Sequence, residues 1–231
     1  MGPTMLKSLF SASLLALAVA SPAAFAHQAG DIIVRGGAAT VDPQEDSSRI
    51  STAVTGPIDG TSAGVGSSTQ LGLTGAYMIT DHVGIELLAA TPFSHDISVK
   101  GIDAALGTPQ GTIDGSFADV KQLPPTLSLQ YYPMEASSVF QPYVGAGLNY
   151  TWTFSEDSKT GGPISGTDLS IGNSFGFAGQ LGLRFAASKD WDVVVDARYI
   201  DISADVSVNG TNVGEASVDP MVYSIMVGKR F

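Results

Sequence analysis

Between Thr69 and His95 the chain reads TQLGLTGAYMITDHVGIELLAATPFSH, two apolar-alternating runs separated by Thr80-Asp81-His82. In the first run Leu71, Leu73, Tyr77 and Ile79 fall on one side and Gln70, Thr74 and Met78 on the other. In the second, Val83, Ile85, Leu87 and Ala89 oppose Glu86, Leu88 and Ala90. A repeat of two belongs to a strand, because successive side chains leave a strand on opposite faces. A helix would place its apolar residues three and four apart. Each run is longer than the roughly 5–6 residues of an ordinary strand. It is close to the roughly 9–11 tilted residues that cross a bilayer as a strand.

The pattern recurs along the chain. Further strands are expected at Gly30–Val41, Asp119–Tyr132, Gln141–Phe154, Ile171–Ala186 and Trp191–Ser207, with a last one running through Met221, Tyr223, Ile225 and Val227. That makes eight. The connections at 42–67, 98–118 and 155–170 are long and rich in Gly, Ser, Asp and Pro, whereas Thr80–His82, Pro133–Phe140 and Ala187–Asp190 are short. The expected fold is therefore an all-β, eight-stranded antiparallel transmembrane β-barrel with short periplasmic turns and longer extracellular loops. In lipid the barrel must close, since an open edge leaves unpaired N–H and C=O groups. A soluble barrel would need a polar outer face. Here one face carries nearly all the bulk, and the other is largely Gly, Ala, Ser and Thr. Tyr77, Tyr131, Tyr132, Tyr143, Trp152, Phe154, Trp191 and Tyr223 lie at strand ends, where interfacial girdles sit.

The first residues have a different character. Lys7, the apolar run Leu9–Ala20 and Ala24-Phe25-Ala26 form a secretory signal peptide pattern, giving a signal over residues 1–26 and a barrel over 27–231. The apolar run is short of the roughly 20 residues of a spanning helix, and Pro22 follows it. Export by this route leads to the bacterial outer membrane. The net charge of −11, from 22 Asp and Glu against 11 Lys and Arg, opposes nucleic acid as a partner. There is no cysteine, so no disulfide or thiolate chemistry.

Several long segments, in order, resemble the outer-membrane protein W (OmpW) family: AGDIIVRGGAATVDP, TQLGLTGAYM, VGIELLAATPF, LPPTLSLQYYP, FQPYVGAGLNY and the closing VDPMVYSIMVGKRF. The resemblance implies an eight-stranded outer-membrane barrel that takes up small, mainly apolar molecules through a sideways opening in its wall. It places that opening near Pro92. Proline has no N–H and removes a rung from a ladder, and Pro124-Pro125 face the same region. The resemblance also implies an apolar constriction at Leu88 with a Trp from the seventh strand, where this chain has Arg198. By alternation Arg198 points inward with Asp196, Arg35, Glu86, Arg184 and Arg230. Charged groups in a narrow interior must be paired or hydrated, so an Arg–carboxylate network is expected to fill the lower lumen. Phe231, with Tyr223, Ile225 and Val227 before it at alternate positions, resembles the terminal signal read by the outer-membrane assembly machinery; Lys229 departs from it.

No catalytic or cofactor-binding pattern is present in the sequence. His27, His82 and His95 are scattered over a terminus, a turn and a strand end, and His95 beside Asp96 is the sole suggestion of a hydrolytic group. Asp42, Glu45 and Asp46 offer carboxylates for cations shared with lipopolysaccharide, though a solvated loop is the simpler account of them. The expected partners are outer-membrane lipid and lipopolysaccharide, small hydrophobic or amphiphilic solutes and the assembly machinery. Two other readings are a channel for small polar solutes such as amino acids, and a structural or adhesive barrel with surface-binding loops.

Overall fold

The computed structural model describes residues 27–44, 51–52, 56–57, 60, 62–112, 114–158 and 169–231. The signal pattern, Glu45 and Asp46 lie outside them. In chain order the strands are β1 (Ile32–Asp42), β2 (Ser51–Thr52), β3 (Gly56–Pro57), β4 (Ser62–Val65), β5 (Ser68–Met78), β6 (Val83–Ala90) and β7 (Phe93–Lys100). A short helix α1 (Ile102–Leu106) follows. The remaining strands are β8 (Gly115–Leu123), β9 (Thr126–Tyr131), β10 (Phe140–Ser158), β11 (Leu169–Ile171), β12 (Ser174–Ala186), β13 (Trp191–Ile200), β14 (Ser203–Val208), β15 (Thr211–Ser217) and β16 (Met221–Arg230).

Eight of these strands form a ring in the order β12-β13-β16-β1-β5-β6-β9-β10, and β10 pairs with β12 to close it. Every pairing is antiparallel. Closure satisfies the backbone inside hydrocarbon, where an unpaired N–H costs several kcal/mol. The bulky face of each strand looks outward: Leu73, Leu129, Leu181 and Ile225 are 51%, 54%, 65% and 57% exposed. Such side chains in water would be a liability; against acyl chains they are at home.

The periplasmic turns are tight. Ile79 N–H donates to Val83 O at 2.8 Å, and the Thr80 hydroxyl accepts from the N–H groups of His82 and Val83. Ala187 N–H closes the β12–β13 turn on Trp191 O at 2.9 Å.

The outer connections depart from the sequence expectation. Parts of the segments read as loops are paired strands that raise the wall above the ring. β4, β7, β8 and the upper end of β10 form one extension, and β11, β14 and β15 another. In β4 and β15 short length or small and polar residues masked the pairing, because alternation is weak where neither face is bulky. The expected strands Asp119–Tyr132, Ile171–Ala186 and Trp191–Ser207 are each broken, at Pro124-Pro125, Gly172-Asn173 and Asp201-Ile202. Two of the expected girdle aromatics, Tyr132 and Tyr143, are inside the barrel, 1% and 3% exposed. Alternation decides this, since each directly neighbours an outward residue, Tyr131 and Val144.

Candidate functional site

Glycines in the wall let inward polar side chains two strands apart touch. Gly228 of β16 is directly opposite Arg35 on one side and Asp192 on the other. A β-carbon there would collide with both side chains. Without one, Arg35 passes over Gly228 to Asp192, Nε to Oδ1 at 3.2 Å and Nη2 to Oδ2 at 3.1 Å. The same arrangement recurs at Gly182, which lies between Tyr143 and Asp196, and the Tyr143 hydroxyl donates to Asp196 Oδ2 at 3.2 Å. It recurs again at Gly145, between Gln130 and Gln180, whose amides bond at 3.2 Å.

These pairs join into one plug across the lower lumen. Glu86, 2% exposed, accepts from Arg35 Nη1 at 3.1 Å, Arg198 Nη2 at 3.0 Å and Gln180 Nε2 at 3.3 Å. Asp192 receives Arg184 Nε as well as Arg35. Tyr132 donates to Gln130 Oε1 at 2.8 Å. His27 seals the periplasmic end. Its Nε2–H donates to Asp81 O at 2.8 Å, which leaves Nδ1 to accept from Arg184 Nη1 at 2.7 Å. Its ring lies 4.5 Å from that of Tyr132. Burial, with the Arg184 charge close by, pulls the His27 pKa down to about 4. Ile33, Ala76, Met78 and Val194 fill the space around the phenols of Tyr132 and Tyr143.

The structure thus brings Arg35, Glu86, Arg184, Asp196 and Arg198 into one interior. It leaves Arg230 apart: this side chain pairs with Asp31 at 3.3 Å and caps Lys189 O at the periplasmic rim. Alternation gave its side of the wall correctly but not its depth. The sequence reading passed over Asp192, His27, Gln130, Gln180 and the two tyrosines. The signal was available for Asp192, which shares the inward parity of Asp196 and Arg198, and for Gln180, which shares that of Arg184.

Above the plug the lumen turns apolar. Leu88, 6% exposed, packs with Ala39, Val41, Phe93, Ala178, Ile200, Ile202, Val222 and Met226. Beside this layer the wall is interrupted. Below, β6 and β9 pair as far as Leu88 with Thr126; above, β7 and β8 resume at Phe93 with Gln122. Between them residues 89–92 and 123–125 form no ladder pair with each other, and the register advances by one. All three prolines lie here. Pro92 is exposed, Pro125 half-buried and Pro124 buried. Thr91 N–H turns away to Leu71 O on β5 at 3.0 Å, and Pro125 O accepts from Tyr150 N–H on β10 at 3.1 Å.

His95 stands on the inner side of the extracellular sheet, its Nδ1–H donating to Gly66 O at 2.7 Å. Burial lowers its pKa, although that bond acts the other way. His82 bonds Tyr132 O at the opposite end of the barrel. Phe231 closes the β1–β16 seam with Ile32, and its exposed ring lies 5.1 Å from Lys229 Nζ.

A closed ring of eight antiparallel strands with an apolar exterior and a plugged polar interior defines an outer-membrane β-barrel of the small, eight-stranded class. The sequence pattern of the OmpW family matches residues 28–231, and the chain belongs to that family. It is 40% identical over 230 residues to outer membrane protein W of Escherichia coli strain K12, covering 98% of this chain and 100% of that one. It is 38% identical to outer membrane protein W of Vibrio cholerae over 93% of this chain and 94% of that one. The crystal structure of OprG from Pseudomonas aeruginosa, 43% identical, superposes with a TM-score of 0.75 over 89% of this chain and 97% of that one. The protein is thus a bacterial outer-membrane protein.

Proposed function

We propose that this barrel gives small hydrophobic and amphiphilic molecules a passive route into the outer membrane, leaving through the wall between β6/β7 and β8/β9. The observation that carries this reading is the unpaired stretch flanked by Pro92, Pro124 and Pro125 beside the apolar layer that contains Leu88 and Phe93. A solute that entered from the extracellular side would meet apolar surface, then a charged plug. Burying apolar surface is favourable by roughly 25 cal/mol per Å², whereas entering the plug would break paired charges. The low-cost exit is therefore sideways, where prolines withhold the N–H groups that would zip the two strands together. Partition into lipid drives the flux, and no energy source is needed.

The plug argues against a straight channel for small polar solutes, since such a path would cross Arg35, Glu86 and Asp192 together. Lipopolysaccharide around the outer rim, and the assembly machinery acting on Phe231, fit this placement.

The test is uptake of a small apolar solute by cells carrying Pro92→Ala, alone and with Pro124→Ala and Pro125→Ala. Restored N–H groups extend the ladder and should reduce flux severalfold at unchanged surface expression. Unchanged flux would remove the lateral route.

A further inference from the structure

Arg198 makes the fewest hydrogen bonds of the plug's cations. Arg35 contacts two carboxylates, and Arg184 contacts Asp192 and the His27 ring, but Arg198 has a single oxygen of Glu86. It is 1% exposed, and its Nε and Nη1 have no hydrogen-bond partner among the described residues. Asp196, two residues away on the same strand, bonds the Tyr143 hydroxyl and the Gln180 amide and acts on Arg198 through its charge alone. Two hydroxyls at the same boundary are also unpartnered: Thr74, opposite Leu88, and Ser128, opposite Glu86.

The position of Arg198 gives these donors a use. On β13 its next inward neighbour toward the outside is Ile200, and across the ladder it faces Val222. Both belong to the apolar layer. A guanidinium with spare donors therefore forms the floor of the apolar layer. A buried donor left unmade costs about 1–3 kcal/mol, and a charge-assisted bond to an anion is about twice as strong as a neutral one.

We infer that the upper lumen binds monocarboxylates with an alkyl or aryl tail, the carboxylate accepting from Arg198 and the tail lying among Leu88, Ile200, Val222 and Met226. This rests on the uptake reading above and narrows it. Anionic amphiphiles are held at the floor of the apolar layer, while uncharged ones of the same length pass with less delay.

The experiment uses the barrel in lipid nanodiscs at neutral pH, titrated with octanoate or with methyl octanoate. The Arg198 side-chain N–H resonances and the methyl resonances of Ile200, Val222 and Met226 are followed. Octanoate should shift both sets, and methyl octanoate the methyl groups alone. Arg198→Met should weaken octanoate by about tenfold or more, the equivalent of one charge-assisted bond, and leave the ester within about twofold. The inference is overturned if octanoate binds no more tightly than the ester, or if Arg198→Met binds octanoate as the native barrel does. Ester binding without octanoate preference sinks this inference and leaves the uptake reading standing; no methyl shift with either probe sinks both. Should Arg198→Met fail to fold, the comparison of the two probes on the native barrel decides.

Discussion

Arg35 and Asp192 are 157 positions apart in the chain, yet they meet through two parallel N–H···O bonds above Gly228, the single residue separating them across the wall. The contact couples β1 to β13 over β16. It therefore reinforces the seam where the first and last strands close the ring.

Because Gly228 makes that contact possible, Gly228→Val should break it. A branched side chain would displace Arg35 and leave Asp192 with Arg184 alone. The expected loss is about 2–4 kcal/mol, from overpacking together with a poorly paired buried charge. The midpoint of the heat-induced gel-mobility shift measures it. Gly75→Ala, on the outer face with open space around it, should stay within about 0.5 kcal/mol.

Glu86 serves two guanidinium groups, so Glu86→Ala takes from Arg198 its one carboxylate bond and leaves Arg35 with Asp192 alone. The expected destabilisation is roughly 3–5 kcal/mol. The variant should also admit ions through the lower lumen. In planar bilayers it should give conductance steps well above those of the native barrel, and equal conductance would show that Glu86 does not block the path.

His27 makes stability depend on pH. Its folded pKa of about 4 lies below the unfolded value of 6.5, so the unfolded chain binds the proton first. Its contribution is complete above pH 6.5, declines as the pH falls toward about 4, and levels off below that. In urea titrations of the barrel in vesicles, His27→Gln should flatten the curve over this window. A curve parallel to the native one would refute the assignment.

Ile225 is 57% exposed on the outer wall. Ile225→Arg should cost about 2–4 kcal/mol if it faces the middle of the bilayer. Reversible folding into vesicles measures this, and a cost near zero would mean the position contacts water.

Much of this architecture is local in origin. A repeat of two is written into each strand, so Leu73 and Ile225 were legible as outward and Glu86 and Arg198 as inward from neighbours alone. The outer extensions were less legible, because β4 and β15 are short or built of small and polar residues, although the β7 sequence does alternate Phe93, His95, Ile97 and Val99 against Ser94, Asp96 and Ser98. The candidate site was half visible: Arg35, Glu86, Arg184, Asp196 and Arg198 stood out, while Gln130 and His27 carry no signal in isolation.

What the sequence determined by itself was the number of membrane strands, the face each turns to lipid and the sign of the groups inside. What only the tertiary structure decided was register. Register set Gly228 between Arg35 and Asp192, and it brought Pro92 level with Pro124 and Pro125 to interrupt one ladder. Alternation is fixed by the geometry of a single strand, whereas register depends on turns and on closure between residues far apart in the chain.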